Sequence, residues 1–383
     1  MNLTKDMEAY ILECQEELRQ LIRDMSVIPA PSHHEERRAA FCRDWFTAAG
    51  FENVSIDPAL NVVCACPPAG DSPVTVIMAH TDVVFPDTDP LPFREDEKAF
   101  YCPGVCDDTA NLAVMMICAR YFLRRGFQTK NSLLFVANSC EEGLGNLKGS
   151  KQIVRDFGDR MNALVTFDGV RLDRVVTRAV GSHRYRVTVT TEGGHSYGAF
   201  GNRNAIRYLA SMIDTLYAVK VPEKQGTKTT YNVGLISGGT SVNTIAQRAE
   251  MLYEYRSDDV ECLMTMKRCF EAVVEAYRAI GIGVEVELVG DRSCASGVDP
   301  AAHEALIVLA DRSIRDITGM EPVHESSSTD ANSALGAGIP AICMSAVRGK
   351  GCHTRQEKLE LGSLVDGCRL TMDFLANFFE DLQ

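Results

Sequence analysis

The stretch VTVIMAHTDVVFP, residues 74–86, decides the fold. Its first six residues are apolar or β-branched without regular alternation, which predicts a strand that is buried on both faces. Two polar residues, His80 and Asp82, end that run. The pattern recurs where SLLFVANSC precedes Glu141 and where NALVTF precedes Asp168. The repetition predicts a buried sheet that carries polar residues at the ends of its strands.

In an open α/β sheet, ligands bind at the edge where the carboxyl ends of the strands meet. Residues that are far apart in the sequence would therefore converge on one site. The candidates are a set of acids and histidines, in chain order His80 and Asp82 in AHTDVVFP, Asp107 in GVCDDTAN, Glu141 and Glu142 in NSCEEGLG, Asp168 in VTFDGV, and His353 in KGCHTRQE. This set predicts a hydrolase that uses two metal ions.

The types of donor in this set fit divalent metal ions. Two imidazoles and three carboxylates offer the nitrogen and oxygen ligands that Zn²⁺ and similar ions accept. Two cations about 3.5 to 4 Å apart repel each other unless an anionic group lies between them, so a paired site needs one bridging carboxylate. We assign the bridge to Asp107.

Two of the acids are predicted to have other roles. Consecutive side chains that leave a strand point to opposite sides, so one of Glu141 and Glu142 can hold metal while the other faces the water that it must deprotonate. Asp82 lies two residues beyond His80 and is placed to hold the remaining ring N–H of that histidine. Asp82 is therefore predicted to orient a ligand and not to be one.

Each motif also has an ordinary interpretation. A lone HxD lies more often in a surface loop, and an EE pair is usually solvated charge. The buried strands that precede these motifs favour the metal site over those alternatives. Asp330, just before the helix predicted to begin at Ala331, either lines the substrate pocket or caps that helix, and we favour the cap.

With these motifs in place, nearly the whole chain resembles the co-catalytic zinc metallopeptidase family of peptidase T, glutamate carboxypeptidase, acetylornithine deacetylase and succinyl-diaminopimelate desuccinylase. The resemblance implies an α/β zinc-exopeptidase catalytic domain, a mixed sheet flanked by helices, with an inserted ferredoxin-like α/β lid and dimerisation domain. It also implies an assignment of the site, with His80 and Asp168 on one metal, Glu142 and His353 on the other, Asp107 bridging, Glu141 as general base, and Asp82 orienting His80.

Two further segments extend the resemblance into the inserted domain: GGHSYGAFGNRNAI with His195, and SGGTSVNTIAQRAEMLYEYRS with Asn243 and Arg256. In similar enzymes the histidine polarises the scissile carbonyl, and the asparagine and arginine hold the tetrahedral intermediate or a substrate carboxylate. On its own, a histidine in a Gly-rich turn would more often be structural. Similar enzymes dimerise through this domain and take the histidine from the partner subunit, so the resemblance implies a homodimer.

The pattern of elements predicts where the inserted domain begins and ends. Strands alternate with helices up to about residue 180, and the alternation resumes at a helix that begins near Pro300. The predicted catalytic domain therefore consists of residues 1–180 and 296–383. Residues 181–295 form the insertion, whose order of strand, helix, two strands, helix and strand is typical of a ferredoxin-like sandwich.

The chain departs from similar enzymes in two places. Relatives commonly follow the bridging aspartate with Asp-Lys-Gly or Met-Lys-Gly, whereas this chain has Asp108, Thr109 and Ala110. A loop lysine is lost, but no ligand. The third ligand is Asp168 and not a glutamate. Among similar enzymes, aspartate at this position goes with aminopeptidases and di- or tripeptidases, and glutamate with carboxypeptidases and deacylases.

The composition of the chain limits the kinds of partner and the cellular compartment that we expect for the protein. The 383 residues are 45% hydrophobic, which is enough for two domains with substantial cores. A net charge of -13 argues against a nucleic-acid or anionic-membrane surface. We expect no membrane span and no signal peptide. The cysteines are therefore expected to be reduced in a cytoplasmic protein, and Cys106, Cys140 and Cys352, which each precede a site residue, are expected to pack in the core.

The predicted activity is the hydrolysis of short peptides by an aminopeptidase or a di- or tripeptidase that uses two divalent ions. Zinc is the predicted metal, and cobalt or manganese would accept the same ligands. The alternative is an N-acyl-amino-acid deacylase or desuccinylase, which shares the metals and the base but binds an acyl group where a peptidase binds a free α-amine. A third possibility is a non-catalytic metal-binding descendant, against which the intact Glu141, His195 and Arg256 argue.

Overall fold

The computed structural model describes residues 2–66, 72–129 and 131–379. The chain forms two compact units, of which the first is Met1–Ala179 with Ser296–Gln383 and the second is Val180–Ala295. The second unit is thus an insertion in the sequence of the first. No helix among the described residues is long and apolar enough to cross a membrane.

Helices and strands alternate along most of the chain. The α-helices of the described residues are α1 (Lys5–Glu13), α2 (Gln15–Ser26), α3 (Glu36–Ala49), α4 (Asn111–Arg125), α5 (Lys148–Phe157), α6 (Ala205–Tyr217), α7 (Val260–Ala279), α8 (Pro300–Thr318), α9 (Ala331–Gly336) and α10 (Leu364–Leu375). The strands are β1 (Ser55–Ile56), β2 (Val62–Cys66), β3 (Val74–His80), β4 (Arg94–Glu95), β5 (Ala99–Tyr101), β6 (Ser132–Asn138), β7 (Met161–Phe167), β8 (Arg174–Ala179), β9 (Gly181–Thr190), β10 (Gly194–His195), β11 (Thr229–Gly238), β12 (Thr244–Ile245), β13 (Arg248–Ser257), β14 (Gly283–Arg292), β15 (Val323–Ser327), β16 (Ala341–Met344), β17 (Gly349–Lys350) and β18 (Lys358–Glu360).

The first unit is built on an eight-stranded mixed sheet with the strand order β1-β2-β6-β3-β7-β16-β8-β15. The central strands β6, β3, β7 and β16 run parallel to one another. Strand β2 runs antiparallel to β6, and β8 runs antiparallel to β16. A separate sheet of order β17-β18-β5-β4 is antiparallel throughout.

Apolar cores cover both faces of strand β3, in which every residue is buried. On one face Ile77 and Ala79 belong to a core that includes the residues of α4. On the other face Val76 and Met78 belong to a second core that includes residues of α5 and α9. Burial on both faces explains why the sequence before His80 is apolar without alternation.

The register of the central strands places their carboxyl ends at one edge of the sheet. Strand β3 pairs in parallel with β6, where His80 lies opposite Asn138. It also pairs in parallel with β7, where Met78 lies opposite Thr166. Loops that leave these three strands therefore begin close together.

The second unit has the chain order β9, α6, β11, β13, α7, β14. Its four-stranded sheet, of order β11-β13-β9-β14, is antiparallel. Val187, Met251 and Tyr253 of the sheet share a core with Leu209 of α6 and Phe270 of α7. A two-stranded ribbon of β10 and β12 adjoins this sheet in sequence. The predicted fold class, a mixed sheet flanked by helices with a ferredoxin-like insertion, is confirmed.

Candidate active site

Three neighbouring strands lead directly into candidate ligands. His80 is the last residue of β3. Asp168 directly follows β7, and its backbone N–H donates to the carbonyl oxygen of Met344 at 2.7 Å. Glu141 and Glu142 follow shortly after the end of β6. Since β6, β3 and β7 are parallel, the sheet itself brings these side chains to one edge.

Two loops add the remaining members of the cluster. Asp107 lies in the helical segment Val105–Ala110, which precedes α4, and His353 lies between β17 and β18. His80 Nε2 is 3.1 Å from Asp107 Oδ1, and His353 Nε2 is 3.1 Å from Asp107 Oδ2. His353 Nε2 is also 3.2 Å from Glu142 Oε1. Each carboxylate oxygen of Asp107 therefore faces a different histidine.

The possible ligand atoms form overlapping groups whose members lie within 4.8 Å of one another. These groups are His80, Asp107 and Asp168; Asp107, Glu142 and His353; and His80, Glu141 and Glu142. The structure thus brings together six of the predicted site residues, and His80, Asp107 and Glu142 each belong to two of the groups. Imidazole nitrogens and carboxylate oxygens in this arrangement fit a pair of divalent ions such as Zn²⁺.

Asp82 lies behind these groups and contacts the residues that form them. His80 Nδ1 is 3.1 Å from the backbone oxygen of Asp82 and 3.4 Å from its Oδ1, which leaves Nε2 for a metal. The carboxylate of Asp82 accepts the backbone N–H of Glu141 and that of Glu142, each at 2.9 Å. It also accepts a hydrogen bond from Ser32 Oγ at 2.6 Å.

The explanation of the different directions of Glu141 and Glu142 by the alternation of side chains along a strand is wrong. Strand β6 ends at Asn138, and Cys140 has a positive φ of 58°, so the alternation of a strand does not reach the two glutamates. A loop presents them, and Asp82 holds that loop through both backbone N–H groups. Both glutamate side chains are buried.

The crowding of buried carboxylates changes their protonation. Burial, together with the charge of Asp107, raises the pKa of Asp168 to about 6. Burial also raises the pKa of Glu142. Burial opposes ionisation of Asp107 too, but hydrogen bonds from His353 and His80 outweigh it and lower its pKa. Hydrogen bonds to Asp107 and Glu142 raise the pKa of His353 to about 11. The cluster favours positive charge, which divalent ions supply more strongly than protons.

The inserted unit places His195 and Asn243 next to each other. His195 ends β10 and pairs with Thr244 of β12, and the N–H of Ser196 donates to the backbone oxygen of Asn243 at 2.9 Å. Both side chains are exposed. His195 Nδ1 accepts the backbone N–H groups of Tyr197 and Gly198 at 3.3 and 3.2 Å, so in the neutral ring the proton is on Nε2.

Arg256 lies elsewhere in the inserted unit. Its Nε and Nη2 donate to the two carboxylate oxygens of Glu254 at 2.9 and 3.0 Å. On β13 it pairs with Ser182, whereas Arg248, at the end next to the ribbon, pairs with Thr190. Eight residues of strand, about 26 Å, separate Arg256 from Arg248. The unit therefore does not bring Arg256 close to His195 and Asn243.

Glu357 is a buried acid that sequence reasoning missed. Its Oε1 accepts the backbone N–H groups of Cys106 and Asp107 at 2.7 and 3.0 Å, and its Oε2 accepts that of Gly104 at 2.9 Å. Burial raises the pKa of Glu357 to about 7. One carboxylate thus fixes the loop that carries Asp107. The only cue in the sequence is that Glu357 lies four residues after His353.

Arg38 is a second missed residue, and it contacts the segment that departs from similar enzymes. This fully buried guanidinium donates to Thr109 Oγ1 at 3.2 Å and to the backbone oxygen of Thr81 at 2.9 Å. Burial lowers the pKa of Arg38 to about 10. A cation therefore reaches Thr109 from α3, although the loop itself carries no lysine. No pattern in the sequence distinguishes Arg38 from Arg37 beside it.

The predicted cap at Asp330 is wrong. Asp330 has φ and ψ of -55° and -26°, and its side chain makes no cap hydrogen bond to α9. An N-cap residue needs extended φ and ψ for its side chain to reach the first free N–H groups, and Asp330 is already helical. Its buried Oδ2 instead accepts a hydrogen bond from Asn138 Nδ2 at 2.6 Å.

The cysteines beside the site residues do not join the ligand groups found among the described residues. Cys106 and Cys140 are buried, and Cys352 is half-buried. The Sγ of Cys140 lies 3.2 Å from Glu35 Oε1, which also accepts the backbone N–H of Cys140 at 3.0 Å. These contacts hold the start of the loop that carries Glu141 and Glu142.

We expect Glu357→Gln to weaken metal binding roughly 10- to 100-fold, as loss of a partner that orients a ligand usually does. Three backbone N–H groups donate to the two carboxylate oxygens of Glu357. Glutamine keeps the shape of the side chain but has only one oxygen to accept them. Competition titration with a chromogenic chelator measures the change. Glu360→Gln, the same substitution at a half-buried acid three residues on, is the control. Equal metal affinity in both variants would contradict the positioning role.

The fold and this cluster together define a metal-dependent hydrolase. Residues 76–377 match the family described as peptidase family M20/M25/M40, and the chain belongs to it. The chain is therefore a metallopeptidase or related amidohydrolase. It is 24% identical over 277 residues to a succinyl-diaminopimelate desuccinylase of Nitrosococcus oceani, which covers 68% of this chain and 71% of that enzyme.

Solved structures have the same fold along almost the whole chain. An aminopeptidase PepT of Bacillus cereus superposes with a TM-score of 0.71 at 22% identity, covering 94% of this chain and 97% of that one. A tripeptidase of Staphylococcus aureus superposes with a TM-score of 0.74 at 20% identity, with the same coverage of 94% and 97%. At these identities the likeness concerns the fold alone.

Proposed function

We propose that this protein is a two-metal exopeptidase that hydrolyses short peptides, of the aminopeptidase or the di- or tripeptidase type. The observation that carries the proposal is that the two carboxylate oxygens of Asp107 face different histidines, His80 and His353, in two ligand groups, with Glu141 buried beside them. In this proposal His80 and Asp168 hold one ion and Glu142 and His353 hold the other. Zinc is the proposed metal, and cobalt or manganese fit the same donors.

Glu141 is the proposed general base. When bound, divalent ions would supply Lewis acidity, which makes a water more acidic and polarises the scissile carbonyl. Glu141 takes a proton from the attacking water, whose oxygen bonds to the carbonyl carbon, and then passes that proton to the amine nitrogen as the C–N bond breaks. The position of its backbone, held by Asp82 Oδ1 at 2.9 Å, supports this role because the carboxylate must stay in reach of both groups. His195 Nε2–H and Asn243 donate to the developing oxyanion.

The substrate class rests on one position and on the fold comparison. Asp168 occupies the place where similar aminopeptidases and di- or tripeptidases have aspartate. The solved structures of the same fold include an aminopeptidase and a tripeptidase. Both observations favour substrates with a free α-amine.

The second candidate function is the hydrolysis of an N-acyl amino acid. It is favoured by the likeness to a desuccinylase over 277 residues. The proposed metals and base would serve this reaction equally, because an amide bond is cleaved in both cases. What differs is the group on the carbonyl side of that bond.

A substrate panel separates the two functions. We would assay the metal-loaded protein against Ala-Ala-Ala and Leu-Gly-Gly and against N-acetyl and N-succinyl amino acids, with Glu141→Gln as the blank. Cleavage of the tripeptides alone is the expected result. Cleavage of only the N-acyl compounds would establish the second candidate, and no cleavage of either set would overturn the proposed function.

We propose in addition that the active form is a homodimer in which His195 serves the metal site of the partner subunit. Arg256 and the ribbon of His195 lie at opposite ends of the sheet, about 26 Å apart along β13. An extended tripeptide spans only about 10 Å. A substrate of this length cannot bridge His195 and Arg256 of one chain, so we infer that the two side chains that contact one substrate come from different copies of the chain.

The edge of the inserted sheet supplies a surface for this dimer. Strand β11 ends the strand order, and Leu235 and Ile236 on it are 47% and 54% exposed. Ile206 and Tyr217 on α6 add exposed apolar area. An edge strand with apolar side chains is a template for pairing with a second strand, and a two-fold dimer would cover it.

We expect Ile236→Lys to make the protein monomeric and to lower peptidase activity roughly 10²-fold, the usual cost of losing an oxyanion donor. Leu288→Lys is the matched control, because Leu288 is 52% exposed on β14, the opposite edge strand. Sedimentation velocity gives the assembly, and metal content should be unchanged in both variants. An active wild-type monomer would contradict the dimer.

Sharing of sites between subunits has a separate test. Co-expressed His195→Ala and Glu141→Gln chains form mixed dimers in which one site receives both defects and the other receives none. Activity near a quarter of the wild-type value is expected from random pairing, about half of the dimers being mixed. Activity no higher than that of either parent would mean that His195 acts within its own subunit.

We propose a cytoplasmic location for the protein. The cysteines whose side chains the structure describes are free, as expected in a reducing compartment. Fractionation of cells, with an antibody against the protein, tests this assignment.

A further inference from the structure

The ribbon of the inserted unit exposes three large apolar side chains around His195 and Asn243. Tyr197 and Phe200 are 90% and 91% exposed, and Val242 is fully exposed. Single exposed apolar residues are ordinary, but a group of them beside proposed catalytic donors is not. We call Tyr197, Phe200 and Val242 the ribbon patch.

Backbone hydrogen bonds bring together the two turns that carry the ribbon patch. Tyr197 and Phe200 lie in the turn after His195, where the N–H of Ala199 donates to the backbone oxygen of His195 at 2.9 Å. Val242 directly precedes Asn243, whose backbone oxygen accepts the N–H of Ser196 at 2.9 Å. The turns that carry the ribbon patch therefore lie next to each other, and each of them also carries one of the two donors.

The turns are held in place although their side chains are exposed. Asn202 Nδ2 donates to the backbone oxygen of Gly193 at 2.6 Å, which closes the first turn. In the second turn Ser241 Oγ lies 2.8 Å from Thr244 Oγ1 and donates to Asn243 Oδ1 at 2.7 Å. The exposure of the ribbon patch is thus a property of an ordered surface.

Both donors are exposed side chains with N–H groups available to donate. The Nδ1 of His195 accepts two backbone N–H groups, so Nε2–H remains to donate. The Oδ1 of Asn243 is occupied by Ser241, so its Nδ2–H groups remain. Two such donors suit one carbonyl oxygen that gains negative charge, and they act strongly only where water is excluded. The ribbon patch is the apolar surface available to exclude it.

We propose that the ribbon patch binds an apolar side chain on the residue whose carbonyl His195 and Asn243 polarise. This inference rests on the proposed function and adds its substrate class, a peptide with a large apolar N-terminal residue. The side chain of that substrate residue is attached to the Cα atom, which is bonded to the carbonyl carbon. If His195 and Asn243 reach the carbonyl oxygen, the residues next to them in the ribbon therefore come close to this side chain. Burial of both partners would contribute through the hydrophobic effect.

The test compares Phe-Gly-Gly and Leu-Gly-Gly with Ala-Gly-Gly in the wild type, Tyr197→Ala, Phe200→Ala and Val242→Ala. We expect the wild type to prefer phenylalanine or leucine over alanine in kcat/KM by about 10-fold or more, a usual range for a hydrophobic pocket. The variants should lose most of that preference, because their rates should fall further on Phe-Gly-Gly and Leu-Gly-Gly than on Ala-Gly-Gly. Val308→Ala, at an exposed valine on α8, is the control that should change neither value.

The outcomes separate this inference from the proposed function. Hydrolysis of all three peptides at similar rates by the wild type would overturn the ribbon patch as a substrate surface and leave the peptidase standing. Variants that lose all substrates equally, or that sediment as monomers, would show that the patch serves assembly. Cleavage of only N-acyl amino acids would establish the second candidate function and overturn this inference, which requires a peptide substrate. No hydrolysis of any compound would overturn the proposed function and this inference with it.

Discussion

Replacing Glu141 with glutamine is expected to lower kcat for the best peptide substrate roughly 10²- to 10⁴-fold, the usual contribution of a general base. Glutamine has nearly the same size as glutamate, but its amide cannot take the proton of the attacking water. The loop should keep its position, because Asp82 holds it through the backbone N–H of residue 141. Steady-state kinetics and metal content are measured on the same preparation, and both ions should remain bound.

Glu142→Gln is the matched control for that experiment. It makes the same chemical change one residue away, at a side chain that lies 3.2 Å from His353 Nε2 and shares a ligand group with Asp107. We expect this variant to lose metal as well as activity. The assignment of the two glutamates would have to be exchanged if Glu141→Gln lost metal while Glu142→Gln kept it.

The strand ends of the site could be predicted from the sequence. His80, Glu141 and Asp168 each follow an apolar run that is too uniform for a half-exposed strand, and three such runs predict parallel neighbours with a common carboxyl edge. The structure has this arrangement in β3, β6 and β7. Asp107 and His353 lie in loops, so their place beside these strands came from the resemblance to a family and not from local pattern.

Contacts between side chains and distant backbone could not be predicted. Glu357 accepts hydrogen bonds from the loop of Asp107, about 250 residues earlier in the chain, and neither segment carries a pattern that requires the other. The contacts of Arg38 could not be predicted either, because in the sequence Arg38 looks like any other charged residue of a helix. Asp330 shows the opposite error, since a residue suited to capping was already in helical conformation.

In the inserted unit the sequence predicted the fold but not the direction of its side chains. The alternating apolar pattern gave the strands and helices in the correct order. The turns around His195 and Asn243 are set by hydrogen bonds such as that from Ser241 Oγ to Asn243, which depend on exact turn geometry. Periodicity contains no information about such turns, so the exposed donors and the ribbon patch emerged only from the structure.

Replacing Asp107 with alanine is expected to remove both metal ions and all measurable hydrolysis. Asp107 belongs to two ligand groups, and its Oδ1 and Oδ2 each lie 3.1 Å from a different histidine. Two divalent ions about 3.5 to 4 Å apart would also lose the anion that reduces their repulsion. The metal-to-protein ratio after dialysis, measured by mass spectrometry of the metals, should fall from about two to near zero.

Asp168→Ala and His353→Ala separate the bridging role from simple ligation. Each removes a residue that belongs to only one of the two groups that contain Asp107, so each variant should retain about one ion. Asp107→Asn completes the series, because an amide keeps the shape but offers one neutral oxygen. If Asp107→Asn held two ions, the negative charge of the bridge would be unnecessary. If Asp107→Ala held one, Asp107 would serve a single metal, and the two groups would not form one co-catalytic site.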